Sequence, residues 1–176
     1  MKKLLLLPAA LAAAVILSAS PSGPSSPPPS GGDVPRGESH RTHDAPELSF
    51  YNDGVKMLFK KEWADAQKQF EAAVAINEKM PEAHNNLAYV LRKQGEQNYA
   101  ASLAHYNRAI ELKPKMQEAY MYRGALYFFM GRKDLAQTDY EALVKLRSKL
   151  APHLKKIFDT GKEEDPEQFY GVSKKK

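Results

Sequence analysis

Histidine is the residue type in this sequence that first suggests a reactive or metal-binding site. His40 and His43 are three residues apart, a spacing that two ligands of one metal ion can have, but no third ligand lies near them. His84, His105 and His153 fall on three separate predicted helices, where a packed or surface histidine is the ordinary case. The chain has no cysteine, which excludes disulfides and thiolate metal sites. We therefore predict no metal site and no cofactor.

The motifs that accompany catalysis are also missing. The sequence contains no glycine-rich phosphate loop, no His-Glu-x-x-His pair and no serine within a Gly-x-Ser-x-Gly elbow. Glu163, Glu164 and Asp165 bring three carboxyl groups together, but they fall in a charged tail, residues 163–176. A tail offers no rigid frame for acid and base catalysis by paired carboxyl groups. We expect that the protein is not an enzyme and has no catalytic residues.

The charge of the chain limits the partners that it can bind. Lysine and arginine number 26 against 21 aspartates and glutamates, a net charge of +5. Three of the positive charges are the terminal residues Lys174, Lys175 and Lys176. The repeats described next carry no stripe of basic residues of the kind that neutralises many phosphates. Nucleic acid is therefore not an expected partner.

Three segments of the chain resemble one another. Gly54, Ala88 and Gly124 recur at separations of 34 and 36 residues. Four further columns recur at separations of 36 and 34 residues: Ala66, Ser102 and Ala136; Phe70, Tyr106 and Tyr140; Ala73, Ala109 and Leu143; Ile76, Leu112 and Leu146. Internal repetition at such a period indicates an array of stacked structural units.

Each repeat contains two runs of apolar residues at helical spacing, which predicts a helical hairpin. Separations of 36 rather than 34 mean that two extra residues are present between the first helix and the second helix of the middle unit. We place them in a turn at residues 96–98, because a longer surface turn costs little loop entropy, whereas an insertion inside a helix rotates its apolar stripe. Gly54 and Gly124 fall in the middle of predicted helices, at a cost of about 1 kcal/mol relative to alanine. A close helix crossing against the column of Ala66 would offset that cost.

These columns resemble the tetratricopeptide repeat. The second helix of the first unit carries an aromatic, a small, an aromatic and a small residue in turn, and the second unit repeats the pattern and closes on Leu-Lys-Pro: Trp63, Ala66, Phe70, Ala73; Tyr99, Ser102, Tyr106, Ala109, Leu112, Lys113, Pro114. Asp53 and Arg123 depart from it where the family has leucine, as does Lys133 at an aromatic position. The resemblance implies an all-α fold, a right-handed α-solenoid of three helix-turn-helix hairpins.

The domain boundaries follow from the repeats and from changes of composition. Residues 1–20, two lysines followed by an apolar run and small residues, are typical of a signal peptide or an N-terminal membrane anchor. Residues 21–46, rich in proline, serine and glycine, are expected to be a disordered linker. The repeat domain covers 47–162, with repeats at 47–80, 81–116 and 117–150 and a capping helix at about 151–161 whose outer face is polar. The charged tail, 163–176, contains Phe169 and Tyr170, which could dock on the cap or serve as a linear motif.

In tetratricopeptide domains the first helix of each hairpin lines the concave face, and certain of its positions contact ligand. Carried onto this sequence, the resemblance implies a groove that is aromatic with a polar middle. Its partner-binding residues are Tyr51, Val55, Phe59, Asn85, Asn86, Tyr89, Arg92, Met121, Tyr122 and Phe128. The aromatic and aliphatic members would anchor a peptide, and the two asparagines and the arginine would fix its backbone or register.

One familiar class of ligand does not fit this groove. Domains of this family that clamp the acidic C-terminal tails of chaperones use a lysine and an asparagine, then an asparagine, then a lysine and an arginine. This chain has Tyr51 and Val55, then Asn86, then Glu118 and Tyr122 at those positions. The two-carboxylate clamp is therefore absent.

Two hypotheses about function remain open at this point. The first is an adaptor that is exported to the periplasm or secreted and that binds a peptide segment of a partner protein; residues 1–20 would tether it to a membrane if they stay uncleaved. The second is a structural protein that self-assembles into a homo-oligomer through the aromatic third-repeat helix, residues 120–130. Light scattering separates them, because a mass that does not change with concentration excludes the second.

Overall fold

The computed structural model describes residues 45–163. The predicted leader and most of the linker, and the tail after Glu163, lie outside the described residues. Within 45–163 the chain is all-helical and contains no strand. The α-helices are α1 Pro46–Phe59, α2 Trp63–Ile76, α3 Pro81–Lys93, α4 Tyr99–Leu112, α5 Gln117–Phe129, α6 Lys133–Lys145 and α7 Ala151–Thr160. None of these helices is long and apolar enough to cross a bilayer.

The hairpin turns repeat one backbone conformation. The equivalent positions Lys61, Gly95 and Gly131 all have positive φ angles, of 62°, 124° and 73°. Glycine adopts this region freely and a residue with a Cβ does so at a cost, so Lys61 is the strained member of the column. The surplus pair of residues lies in a 3₁₀ turn at Glu96–Asn98, which confirms the turn predicted there.

The helices stack in sequence order. α1 with α2, α3 with α4 and α5 with α6 form the three hairpins, and α2–α3 and α4–α5 contacts join them. α3 also contacts α1 and α5, whereas the second helices, α2, α4 and α6, do not contact one another among the described elements. Contact along one side only means that the stack is curved, with α1, α3 and α5 on its concave side. α7 packs against α5 and α6. The predicted α-solenoid of three hairpins and a capping helix is confirmed.

The glycines in the middle of helices are explained by close packing, although not by the neighbours expected. A Cβ added at Gly54 would meet the ring of Phe70 at 2.7 Å, and one at Gly124 would meet Leu154 of α7 at 2.7 Å. The glycines are therefore needed to make room for large side chains, Phe70 and Leu154, and not for the small residues of the Ala66 column. In the middle unit the small residue is Ser102, whose hydroxyl donates a hydrogen bond to the carbonyl of Ala88 at 2.7 Å.

The large residues of α5 are mostly taken up within the chain. Met121, Tyr122 and Leu126 are buried in the core. The guanidinium of Arg123 lies 5.6 Å from the ring centre of Tyr120 and 5.7 Å from that of Tyr127. At the end of the helix, the ring of Phe128 stacks on Phe158 of α7 and Phe129 keeps 38% of its surface exposed. Self-association through this helix stays a prediction.

Candidate functional site

The candidate site is the concave face of α1, α3 and α5, and the ten predicted binding residues are more deeply placed there than a simple open groove requires. Six are buried: Asn85, Asn86, Tyr89, Arg92, Met121 and Tyr122. Four are partly buried: Tyr51, Val55, Phe59 and Phe128. All positions from 83 to 92 of α3 are buried, including those that face the concave side.

The polar middle of the face is a chain of hydrogen bonds from α3 to α1. The Asn85 amide donates to Oδ1 of Asn86 at 3.1 Å, and the Asn86 amide donates to the hydroxyl of Tyr51 at 3.2 Å. Burial, followed by the charge of Glu82, raises the pKa of Tyr51 to about 12. Oδ1 of Asn85 accepts no hydrogen bond from any described residue. Because Asn85 is fully buried, a ligand would reach that oxygen only after its side chain moved.

Next to these amides, aromatic rings from four helices form a continuous cluster. The ring of Tyr89 on α3 lies 6.1 Å from Trp63 on α2 and 4.9 Å from Tyr122 on α5, both edge to face. Tyr122 in turn lies 6.5 Å from the ring of Tyr106 on α4. Trp63 and Tyr106, which the sequence marked only as members of the repeat pattern, support the rings of the two groove tyrosines. Edge-to-face contacts of this kind fix ring orientation.

Arg92 occupies the end of this cluster. Its guanidinium carbon lies 5.2 Å from the ring centre of Tyr89 and 5.9 Å from that of Tyr122. Its Nη1 and Nη2 donate to the two carboxylate oxygens of Glu163 at 2.9 and 2.6 Å. Burial alone would lower the pKa of Arg92, but the Glu163 carboxylate outweighs it and the pKa is raised. The site therefore holds a planar cation that binds a carboxylate with two hydrogen bonds.

Glu163 is the residue that sequence reasoning missed. It was assigned with its acidic neighbours to a charged tail, whereas its side chain is only 12% exposed and paired with Arg92. A local turn brings it there: Gly161 ends α7 with φ at 64°, and the backbone N–H of Lys162 donates to the hydroxyl of Thr160. A contact across 71 residues leaves no periodic signal in a sequence. The one signal in the sequence was Arg92 itself, a cation at a groove position for which the repeats offer no acidic partner.

The remaining predicted residues have other neighbours. Val55 and Phe59 on α1 pack against the edge of the main core, and Met121 lies inside that core. Phe128 stacks on the ring of Phe158 at 5.3 Å, a contact with the capping helix. The direct contacts on this face fall into two groups: hydrogen bonds join Tyr51, Asn86 and Asn85, and ring contacts join Tyr89, Tyr122 and Arg92. The other four residues pack within or against the same hydrophobic core as the tyrosines.

The chemistry available on this face is that of binding. Amide groups can pair with a peptide backbone, rings can cover apolar side chains, and a guanidinium can hold a carboxylate. Within residues 45–163 no three metal-binding side chains come together. His84 and His105 do meet, with their Nδ1 atoms 2.9 Å apart, and Nε2 of His84 lies 3.0 Å from the carbonyl of Glu78. They form a hydrogen-bonded pair between α3 and α4.

Comparisons with known proteins support the fold. No protein-family model matches the chain. It is similar to the first TPR domain of Spaghetti (RPAP3) bound to the HSP90 peptide SRMEEVD, with 22% identity, a TM-score of 0.58 and coverage of 65% of this chain and 91% of that one. The TPR2B domain of yeast Sti1 in its pHsp70 complex is 17% identical, with a TM-score of 0.60 and coverage of 64% of this chain and 93% of that one. The Arabidopsis OM64 TPR domain is 19% identical, with a TM-score of 0.59 and coverage of 66% of this chain and 97% of that one. The chain has the tetratricopeptide-repeat fold.

Proposed function

We propose that this chain is a non-enzymatic adaptor whose concave tetratricopeptide face binds an extended peptide segment of a partner protein. The observation that carries the proposal is the arrangement around Arg92, whose guanidinium lies over the rings of Tyr89 and Tyr122 and already binds a carboxylate from a distant part of the chain. A site that accepts one acidic side chain with two hydrogen bonds can accept another of the same chemistry. One similar domain is described as bound to an HSP90 peptide and another as a pHsp70 complex, which favours this use of the fold.

The partner differs from the chaperone peptides that those domains bind. Only Asn86 matches the five residues of a two-carboxylate clamp, and its amide already donates to Tyr51. Arg92 follows Asn86 by six residues of α3, nearly two helical turns, and its guanidinium lies near the rings of Tyr89 and Tyr122. A ligand for this face would combine a single carboxylate at Arg92 with aromatic or aliphatic side chains along α1 and α3. This is a recognition pattern of one charge and several apolar anchors.

We further propose that the adaptor acts outside the cytoplasm. Residues 1–20 have the layout of an export signal or an anchor, and the linker at 21–46, whose last residue begins α1, has the composition of a flexible spacer. If the leader stays uncleaved, it would attach the chain to a membrane. The spacer would then let the repeat domain reach partners at a distance from that membrane. Fractionation of cells that express the full chain tests this location.

The binding face is tested by capture with a matched pair of variants. Val55→Glu puts a charge on the partly buried groove side of α1, and Val144→Glu makes the same change on α6, where the valine is 51% exposed. Tyr89 and Tyr122 are unsuitable for such a test because each is only 2% exposed and supports the core. The full chain and both variants are used to capture proteins from a cell-envelope extract.

We expect the full chain and Val144→Glu to retain the same protein and Val55→Glu to lose it, with cooperative thermal unfolding in all three. A tenfold loss of affinity corresponds to about 1.4 kcal/mol, which a buried charge in an apolar contact readily exceeds. Equal capture by the three proteins would place the binding surface elsewhere. Capture of nothing by the full chain, in extracts of several growth conditions, would contradict the adaptor function.

A further inference from the structure

The concave face already holds one acidic side chain of this chain. The carboxylate oxygens of Glu163 accept hydrogen bonds from Arg92 at 2.9 and 2.6 Å, and Nζ of Lys93 lies 3.8 Å from one of them. The Arg92 side chain is 4% exposed and that of Glu163 is 12% exposed. An arginine buried to this degree is destabilising without a counter-charge, so the stable state of the site is the one with a carboxylate bound.

The route of the chain shows that Glu163 reaches this face from beyond the end of the capping helix. Among the described elements α7 contacts α5 and α6 but not α3, so Glu163 does not reach α3 as part of the capping helix. The chain turns at Gly161, and the hydroxyl of Thr160 holds the turn through the backbone N–H of Lys162 at 3.2 Å. The described part of the chain therefore ends on the concave face.

Thirteen residues follow Glu163, and their length suffices to cross the face. An extended chain advances about 3.3–3.6 Å per residue, so the six residues from Glu163 to Phe169 can span up to about 20–22 Å. Neighbouring packed helices are about 8–10 Å apart. A segment anchored at Arg92 can therefore bring Phe169 and Tyr170 to α1.

The composition of this segment matches the face in charge and in apolar character. In the sequence, Glu164, Asp165 and Glu167 come within four residues of Glu163, which is bound at the cationic end of α3 formed by Arg92 and Lys93. Further on, Phe169 and Tyr170 are the large aromatic residues of the tail. An acidic stretch followed by an aromatic pair has the same chemistry as the peptide that the face is proposed to bind.

We propose that residues 164–176 bind in cis along the concave face, with Glu163 anchored at Arg92 and the aromatic pair placed against α1 and α3. The tail is then an intramolecular ligand, and a partner peptide has to displace it. This inference rests on the proposed function, because it makes the tail a competitor for the same site. It also predicts that a displacing peptide brings its own carboxylate to Arg92.

The test measures the position of the tail in the full chain, without any partner. The natural sequence has no cysteine, so Ala104→Cys on the exposed side of α4 and Ser173→Cys in the tail give two unique sites for nitroxide labels. Pulsed electron spin resonance then gives the distribution of distances between them. We expect a narrow distribution, since a docked tail has one position.

Three further samples decide what holds the tail. Phe169→Ala with Tyr170→Ala should replace most of the narrow distribution by a broad one, and Glu163→Gln should do so in part. The matched control, Leu135→Ala with Val144→Ala, removes two exposed apolar side chains of α6 and should keep the narrow distribution. A broad distribution in the starting protein, or a narrow one that the tail variants leave unchanged, overturns the proposal. A mixture of copies labelled only at residue 104 and copies labelled only at residue 173 reports on contact between chains. If the narrow distance appears only in that mixture, the tail docks on a second chain and the proposal of binding in cis is overturned as well.

The two proposals fail separately. A narrow distance that depends on Phe169 and Tyr170, together with no captured protein, would leave the tail as the occupant and remove the adaptor function. Capture that depends on Val55, together with a broad distance distribution, would keep the adaptor function and remove the intramolecular ligand.

Discussion

Arg123 on α5 and Asp139 on α6 form a two-pronged ion pair inside the third hairpin. Nη2 and Nε of the arginine donate to the two carboxylate oxygens at 2.6 and 3.0 Å, and Nη1 donates to Asn107 at 2.7 Å. Burial raises the pKa of Asp139 more than the arginine lowers it. An arginine at a position where the repeat family has leucine is thus matched by a buried acid on the next helix.

Removing the charge of this pair should destabilise the protein. Asp139→Asn leaves Arg123 without its carboxylate, and breaking a buried pair costs about 3–5 kcal/mol. We expect about 3 kcal/mol, because the guanidinium keeps Asn107 and some contact with solvent. The free energy of unfolding in urea measures the effect.

The matched control is Asp159→Asn on α7. Asp159 pairs with Lys155 at 3.2 Å, but both side chains are 59% exposed. Such a surface pair contributes about 0–1 kcal/mol. Equal losses of stability in the two variants would contradict the structural role assigned to burial of the Arg123 pair.

Filling the space at Gly124 should weaken the attachment of the capping helix. An alanine Cβ there would lie 2.7 Å from Leu154 and 3.1 Å from the Cβ of Asp139. Overpacking costs about 1–3 kcal/mol, and the better helix propensity of alanine returns about 1 kcal/mol. We expect a net loss of unfolding free energy of about 1 kcal/mol for Gly124→Ala. In a double-mutant cycle with Leu154→Ala the penalty of Gly124→Ala should disappear, and a penalty that persists would show that the contact is not its cause.

Relieving the backbone strain at Lys61 should stabilise the protein. Lys61 has φ at 62°, whereas its neighbour Lys60 has φ at −82°. Glycine at position 61 removes a left-handed strain of about 1 kcal/mol, and glycine at position 60 only adds freedom to the unfolded chain. We expect Lys61→Gly to raise the thermal midpoint and Lys60→Gly to lower it or leave it unchanged. The opposite order would contradict the assigned turn.

Acid should weaken the contact between α3 and α4 in the second hairpin. Because Nε2 of His84 donates to the carbonyl of Glu78, its Nδ1 is the acceptor and Nδ1 of His105 is the donor. Burial is the main cause that lowers the pKa of both imidazoles from 6.5. At His84 the charge of Arg108 lowers the pKa further and Glu78 raises it. At His105 the neighbouring His84 lowers the pKa further and Glu71 raises it. The unfolded chain therefore binds more protons below about pH 6.5, so stability is full above that value and is lost as the pH falls.

Urea unfolding at several pH values measures this dependence, and a double substitution isolates it. We expect His84→Asn with His105→Asn to reduce the loss of stability between neutral and mildly acidic pH. His153→Gln, on the exposed side of α7, should leave that loss unchanged. If the double variant keeps the full dependence, the carboxyl groups of the chain are its source.

The sequence predicted the features that recur from one repeat to the next, and it missed the contact between the segment after the capping helix and the second repeat. The phase of the repeats located the 3₁₀ turn at Glu96–Asn98, because every insertion has to spare the apolar stripes. Transfer of repeat positions selected Asn86 and Tyr89, since the concave side follows from the stack itself. Glu163 could not be found in this way, because one tail contact with Arg92 has no period and no local pattern.

The ion pair between the second hairpin and the segment after the cap also fixes how many units lie between its two partners. Repeat arrays ordinarily gain or lose copies by duplication, because each copy contacts only the next. Here one more hairpin inserted between α4 and α7 would move Glu163 away from Arg92 by roughly the width of a packed helix, about 8–10 Å. An added copy in that part of the array would therefore cost the bond between its middle and its end, whereas an added copy ahead of α1 would leave that bond intact.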